Sequence, residues 1–232
     1  MNARELMVVA AARQIRDREI VFTGMRLPLL GFAVAKATHA PSAVGLFENG
    51  LVREIPARGL VVTMGDGPNQ LGATAATCLI DVMGMLQHGR VHVGFLGGAE
   101  VDAHGNLNTT QVGTTRLPGS GGGSDIAAHA QRCVYIMEHE RRRFVERVSY
   151  LTSRPKGVVT LITTLGIFTL GNGIDPPRVV SLHPGVTAER ARDETGFRLD
   201  FTGATVTPEP STDERAAVAA ADPTGFWTGS SQ

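Results

Sequence analysis

The chain has 232 residues, 42% hydrophobic and 19% charged, which is enough apolar material for a sizeable core. Lys and Arg together number 22, and so do Asp and Glu, so no net field favours nucleic acid or an anionic membrane surface. Acidic and basic residues alternate through Arg4, Glu5, Arg13 and Asp17, unlike a signal peptide, and no uncharged apolar run reaches the length of a membrane span. The seven histidines lack metal-ligand spacing, so no metal site is expected. Cys78 and Cys133 sit in apolar surroundings and read as buried free thiols of a cytoplasmic protein.

Residues Ala3 to Ile15 carry Leu6, Val9, Ala10 and Arg13 at helical spacing, with Asn2 placed to cap. Glu19 to Phe22 reads as a strand, Thr23 to Pro28 as a loop, and Leu29 to Thr38 as an apolar helix. A second strand then runs through Ala43-Val44-Gly45-Leu46-Phe47 and delivers Glu48 into the turn formers Asn49 and Gly50. This order is a βαβ unit, so the strands are expected to be parallel. Leu60 to Met64 is a possible strand. Gln70 to Gln87 reads as the most apolar helix, buried between layers, with Leu79, Val82, Met83 and Leu86 on one face. Val91 to Leu96 is a strand entering Gly97-Gly98.

Beyond it, Asp102 to Asn106 reads as a turn and Leu107 to Val112 as a short strand. Gly119 to Asp125 is a glycine loop ahead of a helix at Ile126 to Ala130. Strands are expected at Arg132–Met137, Val158–Thr163, Leu165–Leu170 and Arg178–Leu182. A helix over Ala188–Glu194 has Thr187 as its cap, and Ser211-Thr212-Asp213-Glu214 opens a last one. The expected architecture is one α/β domain over residues 1–221, with an open, mostly parallel sheet flanked by helices. Residues 222–232 are expected to form a flexible tail.

Several stretches, in order, resemble one family. Glu48-Asn49-Gly50 resembles the Ser-Glu-Asn-Gly catalytic motif of class I coenzyme A transferase β subunits, with Phe47 where Ser is common. Gly97-Gly98-Ala99-Glu100-Val101-Asp102 followed by Gly105-Asn106-Leu107-Asn108 resembles a run of the glutaconate-type branch. Gly119 to Asp125 resembles the family's second glycine loop, and His183-Pro184-Gly185-Val186 with Thr195-Gly196-Phe197 resembles the branch's C-terminal signature.

The resemblance implies the β-subunit fold and a ping-pong transfer of coenzyme A between an acyl-CoA and a carboxylic acid. Glu48 is then the nucleophile, already ionised at neutral pH. Without the resemblance, Glu48 reads equally as a turn cap or an ion-pair partner. Gly121 and Gly122 are candidates for oxyanion donors, and Gly97 and Gly98 for close approach of the chain to the acyl group. Each glycine pair also reads as a plain turn. Asn49 either donates to substrate or fixes its turn. Glu100 stands where many relatives carry an amide; it is protonated, turned away, or matched to a different acyl group. Arg26, just after a strand, either pairs a distal substrate carboxylate or is a surface residue. The α-subunit glycine-rich signature is missing, so the expected partner is a separate α subunit and coenzyme A enters as substrate. The rival readings are a thioester hydrolase or ring-cleaving relative on this fold, and a non-catalytic binding subunit.

Overall fold

The computed structural model describes residues 1–171 and 173–229. The chain divides into two compact units, and neither is a continuous segment. The first comprises Met1–Phe95, His129–Gln131 and the chain from Glu209 onward; the second comprises Leu96–Ala128 and Arg132–Pro208. The crossings after Phe95, Ala128 and Gln131 carry no Pro- or Ser-rich linker, and only the last, within Pro208-Glu209-Pro210-Ser211, is marked in composition.

The first unit begins with α1 (Ala3–Ala12). The Asn2 side chain accepts from the Glu5 N–H while the Glu5 carboxylate accepts from the Asn2 N–H, a reciprocal cap that fixes where the helix starts. Strand β1 (Ile20–Phe22), helix α2 (Leu27–Thr38) and strand β2 (Val44–Leu46) follow as the expected βαβ unit. Strand β3 (Leu51–Arg53) turns back against β2. Helix α3 (Gly67–Gln70), strand β4 (Ala75–Ala76), helix α4 (Leu79–Gln87) and strand β5 (Val93–Leu96) complete this part. The strand order is β5-β1-β2-β3-β4; β1 runs parallel to β2 and β5, and β3 and β4 are antiparallel to their neighbours.

Two expectations fail here for the same reason: side chains reach backbone groups and terminate regular structure. Leu60 to Met64 is not a strand. The Asp66 carboxylate accepts from the N–H groups of Val62 and Thr63 and from the Thr63 hydroxyl, which curls the segment. The helix expected over Gln70 to Gln87 starts only at Leu79. Buried Arg53 donates to the carbonyls of Asn69 and Leu71, and Gly72 at φ +69° turns the chain into β4. Nor is α4 buried between layers. Val82 and Leu86 are buried, but Leu79 is 52% and Ile80 76% exposed. Cys78, expected to be buried, is exposed, and Cys133 is the buried free thiol.

The second unit starts with two short antiparallel pairs, β6 (Glu100–Val101) with β7 (Leu107–Asn108), and β8 (Gln111–Val112) with β9 (Thr115–Arg116). The single strand expected over Leu107 to Val112 is therefore split. The Asn108 Oδ1 accepts from the N–H groups of Thr110 and Gln111 and bends the chain between β7 and β8. Helix α5 (Gly123–His129) leads to the main strands β10 (Arg132–Met137), β11 (Val158–Thr163), β12 (Gly166–Gly171) and β13 (Arg178–Leu182). Helix α6 (Ala188–Asp193), capped by Thr187, and strand β14 (Thr205–Val206) follow. The order is β10-β11-β12-β13-β14, parallel at β10–β11 and β13–β14 and antiparallel between. The fold is thus an open α/β sheet flanked by helices, its parallel ladders interrupted by hairpins.

Helix α7 (Thr212–Ala221) returns to the first unit and packs on α2 and α1. Ser211 and Glu214 repeat the reciprocal cap, and the Glu214 carboxylate takes two bonds from Arg13, at 2.7 and 2.8 Å. Past α7, the stretch expected as a flexible tail is a folded turn as far as residue 229. Asp222 Oδ2 accepts from the N–H groups of Trp227 and Thr228 and from the Thr228 hydroxyl, at 2.9–3.0 Å. Residues 230–232 of that stretch lie outside the described residues.

Candidate functional site

In the first unit, the carboxyl ends of β1 and β2 lie side by side. The Thr23 N–H and hydroxyl both donate to the Leu46 carbonyl, at 3.0 and 2.9 Å, so the loops leaving the two strands emerge together. Ligands of open α/β sheets bind at this edge.

Glu48 sits in the turn that joins β2 to β3. The Gly50 N–H donates to the Phe47 carbonyl at 3.0 Å and the Phe47 N–H to the Leu51 carbonyl at 2.9 Å. This is a tight turn closed by a glycine at φ +96°, with Glu48 and Asn49 at its tip. Both flanks are anchored. Phe47 is fully buried among Leu29, Leu51 and Val61. A Cβ on Gly50 would lie 2.2 Å from the Thr77 carbonyl oxygen, so only glycine lets this turn rest on the β4–α4 junction. The Thr77 N–H donates back to the Gly50 carbonyl at 2.9 Å. Glu48 itself is half-buried between these anchors. Asn49 donates through Nδ2 to the Met64 carbonyl at 2.9 Å, so its amide is engaged in fixing the turn.

In the second unit, Gly97 and Gly98 serve close packing. A Cβ on Gly98 would sit 2.9 Å from the Leu107 side chain and 3.3 Å from two carbonyl oxygens, while one on Gly97 would sit 3.2 Å from the Ile136 carbonyl. Glu100, buried at the start of β6, is turned onto its own hairpin. Its Oε2 accepts from Asn108 Nδ2 at 2.7 Å, the Ser149 N–H at 2.8 Å and the Ser149 hydroxyl at 2.7 Å. Ser149 carries no motif of its own, and nothing in the sequence marks it out. The Asp102 carboxylate accepts from the N–H groups of His104 and Asn106 and from the Asn106 amide, which makes the expected turn.

The glycine loop stands near this network. The Gly119 N–H donates to the Thr109 carbonyl at 2.9 Å, one residue beyond Asn108. Gly121 is exposed with φ +47°, and Gly122 is buried, its carbonyl accepting from the Ile126 N–H. Glu48 and Asn49 thus share one turn of the first unit, and Gly97, Gly98, Glu100, Gly121 and Gly122 belong to the second.

Two buried histidines are structural. His139 stacks on Phe144 at 3.8 Å between centroids and bonds the hydroxyls of Thr163 and Thr195. Burial, aided by Arg190, pushes it down to about 3, so it stays neutral. His183 is lowered by burial too; its Nε2–H donates to the Thr163 carbonyl, which leaves Nδ1 to accept from the Thr207 hydroxyl. Both imidazoles are committed to the core.

The arrangement defines an α/β protein that presents one carboxylate from an immobilised turn at the carboxyl edge of parallel strands. The coenzyme A transferase family matches residues 4–192. One subunit of the 3-oxoadipate CoA-transferase of Pseudomonas knackmussii is 35% identical over 223 residues, covering 86% of this chain and 85% of that one. Among solved structures, the decarboxylase AibA/AibB aligns at 34% identity and a TM-score of 0.91, covering 99% of this chain and 98% of that one. Glutaconate coenzyme A-transferase from Acidaminococcus fermentans aligns at 26% identity and a TM-score of 0.89, covering 98% and 97%. The chain belongs to the coenzyme A transferase family. It is a β-type subunit of an enzyme that acts on coenzyme A substrates, and its partner is an α-type subunit. Among the described residues, no helix is long and apolar enough to cross a membrane.

Proposed function

We propose that this chain is the nucleophile-bearing subunit of an acyl-CoA:carboxylate coenzyme A transferase, with Glu48 as the nucleophile. The observation that carries the reading is the turn: a carboxylate held at a strand edge by Phe47 on one side and Gly50 on the other. A carboxylate needs no general base to act as a nucleophile at neutral pH.

Glu48 attacks the thioester carbonyl, and collapse of the tetrahedral adduct expels the coenzyme A thiolate, leaving a mixed anhydride. The thiolate attacks the glutamyl carbonyl of that anhydride and releases the donor acid as its carboxylate. Glu48 now carries coenzyme A as a thioester. The acceptor carboxylate attacks this thioester, thiolate leaves, and thiolate attack on the acyl carbonyl of the new anhydride frees Glu48. Each bond broken is matched by one formed, so no external reductant or metal is required. Water must be kept from the anhydride, and the half-buried setting of Glu48 serves that end.

The test is Glu48→Gln in the co-expressed two-subunit complex. The amide keeps the shape but is a poor nucleophile, so acyl-CoA binding is expected to survive and transfer to fail. Mass spectrometry of wild-type complex incubated with acyl-CoA should find the adduct on the peptide containing Phe47 to Arg53. Near-native transfer by Glu48→Gln would overturn the assignment. The similarity to a decarboxylase sets the rival reading, which predicts carbon dioxide release and no glutamyl adduct.

A further inference from the structure

The chain between β3 and β4 is closed by two buried polar side chains, Arg53 and Asn69. Arg53, at the end of β3, donates to the carbonyls of Ile55, Asn69 and Leu71, so one guanidinium ties the start of this loop to its end. Asn69, in α3, is fully buried, and its Nδ2 donates to the Met64 carbonyl at 2.9 Å. That same carbonyl accepts from Nδ2 of Asn49, also at 2.9 Å. Two amides, one from α3 and one from the tip of the turn that carries Glu48, therefore meet on one oxygen. Its two lone pairs are filled by the pair.

The other end of the Asn69 amide indicates why an asparagine is kept there. Among the described residues, its buried Oδ1 has no hydrogen-bond partner. Rotating the amide by half a turn would set that oxygen against the Met64 carbonyl, so the orientation is fixed. A buried acceptor without a donor costs stability. An apolar side chain of similar size would fill the place without that cost. The amide is therefore kept for its donor, and that donor serves Met64. The Met64 carbonyl does not need it to be satisfied, because Asn49 already supplies one N–H. What the second bond adds is a fixed position for the oxygen that Asn49 grips.

Met64 can pass that position on. Its side chain packs on the cluster of Leu29, Leu51 and Val61 that buries Phe47, and its carbonyl holds Asn49. Phe47 and Asn49 are the two chain neighbours of Glu48. The other bond of the Asn49 side chain is a long one, 3.4 Å from the Leu51 N–H to Oδ1, so the bond to Met64 is the main restraint on the tip.

We propose that Asn69 is a positioning residue, which sets the aim of the Glu48 carboxylate by fixing the Met64 carbonyl against Asn49. The catalytic consequence rests on the transferase reading, and the experiment separates the two. In the two-subunit complex, Asn69→Leu removes the donor and the unsatisfied oxygen together and should melt close to wild type. Asn69→Ser, too small to overfill the site and too short to reach Met64, is measured beside it. With the donor thioester that the wild-type complex uses best, kcat should fall about tenfold in both variants with KM unchanged, because the carboxylate is displaced while the binding surface is left intact. Asn49→Ala cuts the same link one step later and should lose a similar amount. In the Asn49→Ala background, Asn69→Leu should cost nothing further, because no bond remains to carry the displacement.

A second arm needs no turnover. Hydrogen exchange in the peptide containing Phe47 to Arg53 should be about tenfold faster in Asn69→Leu, with the peptides of β10 and β11 unchanged. Native kcat in both Asn69 variants, a loss that adds to that of Asn49→Ala, or native exchange in the turn overturns the proposal. So does a large fall in melting temperature in both Asn69 variants, the mark of a residue needed only for folding. If Glu48→Gln transfers normally while exchange in the turn still depends on Asn69, the nucleophile assignment falls and Asn69 remains the residue that holds the turn.

Discussion

Gly50→Ala separates the cost of an unusual backbone from the cost of a close approach. The residue has φ +96°, and an added methyl would meet the Thr77 carbonyl oxygen at 2.2 Å and its carbon at 2.6 Å. The dihedral alone costs about 1–2 kcal/mol for alanine. The clash is with backbone rather than a flexible side chain, so the β4–α4 junction must move, at about 1–3 kcal/mol more. Gly59 provides the control, because it has φ +93° with nothing within 4 Å of an added Cβ. Gly59→Ala should therefore lose only the first amount. For a chain of this length each kcal/mol lowers the melting temperature by about 2–4 °C. Gly50→Ala should melt roughly 4–20 °C below wild type and Gly59→Ala roughly 2–8 °C below, by calorimetry at one protein concentration. Because Gly50 closes the turn on Phe47, the variant also shifts Glu48, and a displacement near 1 Å costs transfer about a hundredfold. Equal melting temperatures for the two variants would show that the contact with Thr77 is not tight. A destabilised Gly50→Ala with native transfer would show that the turn does not position the nucleophile.

Asn108→Ala should destabilise by about 2–4 kcal/mol in denaturant titration, since it strips one donor from buried Glu100 and unties Thr110 and Gln111. Ile80→Glu, at a position 76% exposed, should change the stability of this chain by less than about 0.5 kcal/mol in the same titration; a larger loss would mean that the chain itself covers this face of α4. The folded value of His139, about 3, lies below the unfolded value near 6.5, so below 6.5 the unfolded chain takes up the proton first. Stability is therefore complete above pH 6.5 and falls with pH down to about 3, with about 2 kcal/mol gone by pH 5. His139→Gln should flatten much of that slope between pH 6.5 and 5, with His183 supplying the remainder in the same direction.

What the sequence disclosed and what it hid divide along the range of the interaction. Strands β10, β11 and β13 fall where short runs rich in apolar and β-branched residues put them. The starts of α1 and α7 follow from Asn2 with Glu5 and Ser211 with Glu214, pairs three residues apart. The turn carrying Glu48 is legible because an apolar strand runs directly into Asn49 and Gly50. The errors come from side chains that bond backbone at a distance or against propensity. Arg53 stops a helix by reaching the carbonyls of Asn69 and Leu71, and Asp66 curls a β-prone segment. Asp222 folds a stretch rich in Pro, Gly and Thr. Glu100 finds Ser149 across 49 positions, a partner that no spacing rule anticipates.

The same division bears on chemistry. Glu48, the proposed nucleophile, can be singled out in the sequence because such a group must be presented by local structure, and local structure is written in consecutive residues. Contacts between segments far apart in the chain leave no such record. Arg26 looks like an ordinary surface arginine in the sequence, and only its dihedral angles and the indole beneath it set it apart. Trp227 reaches that place because Asp222 folds the far end of the chain back. The proposed nucleophile is therefore readable from a short motif, whereas contacts between distant segments are not.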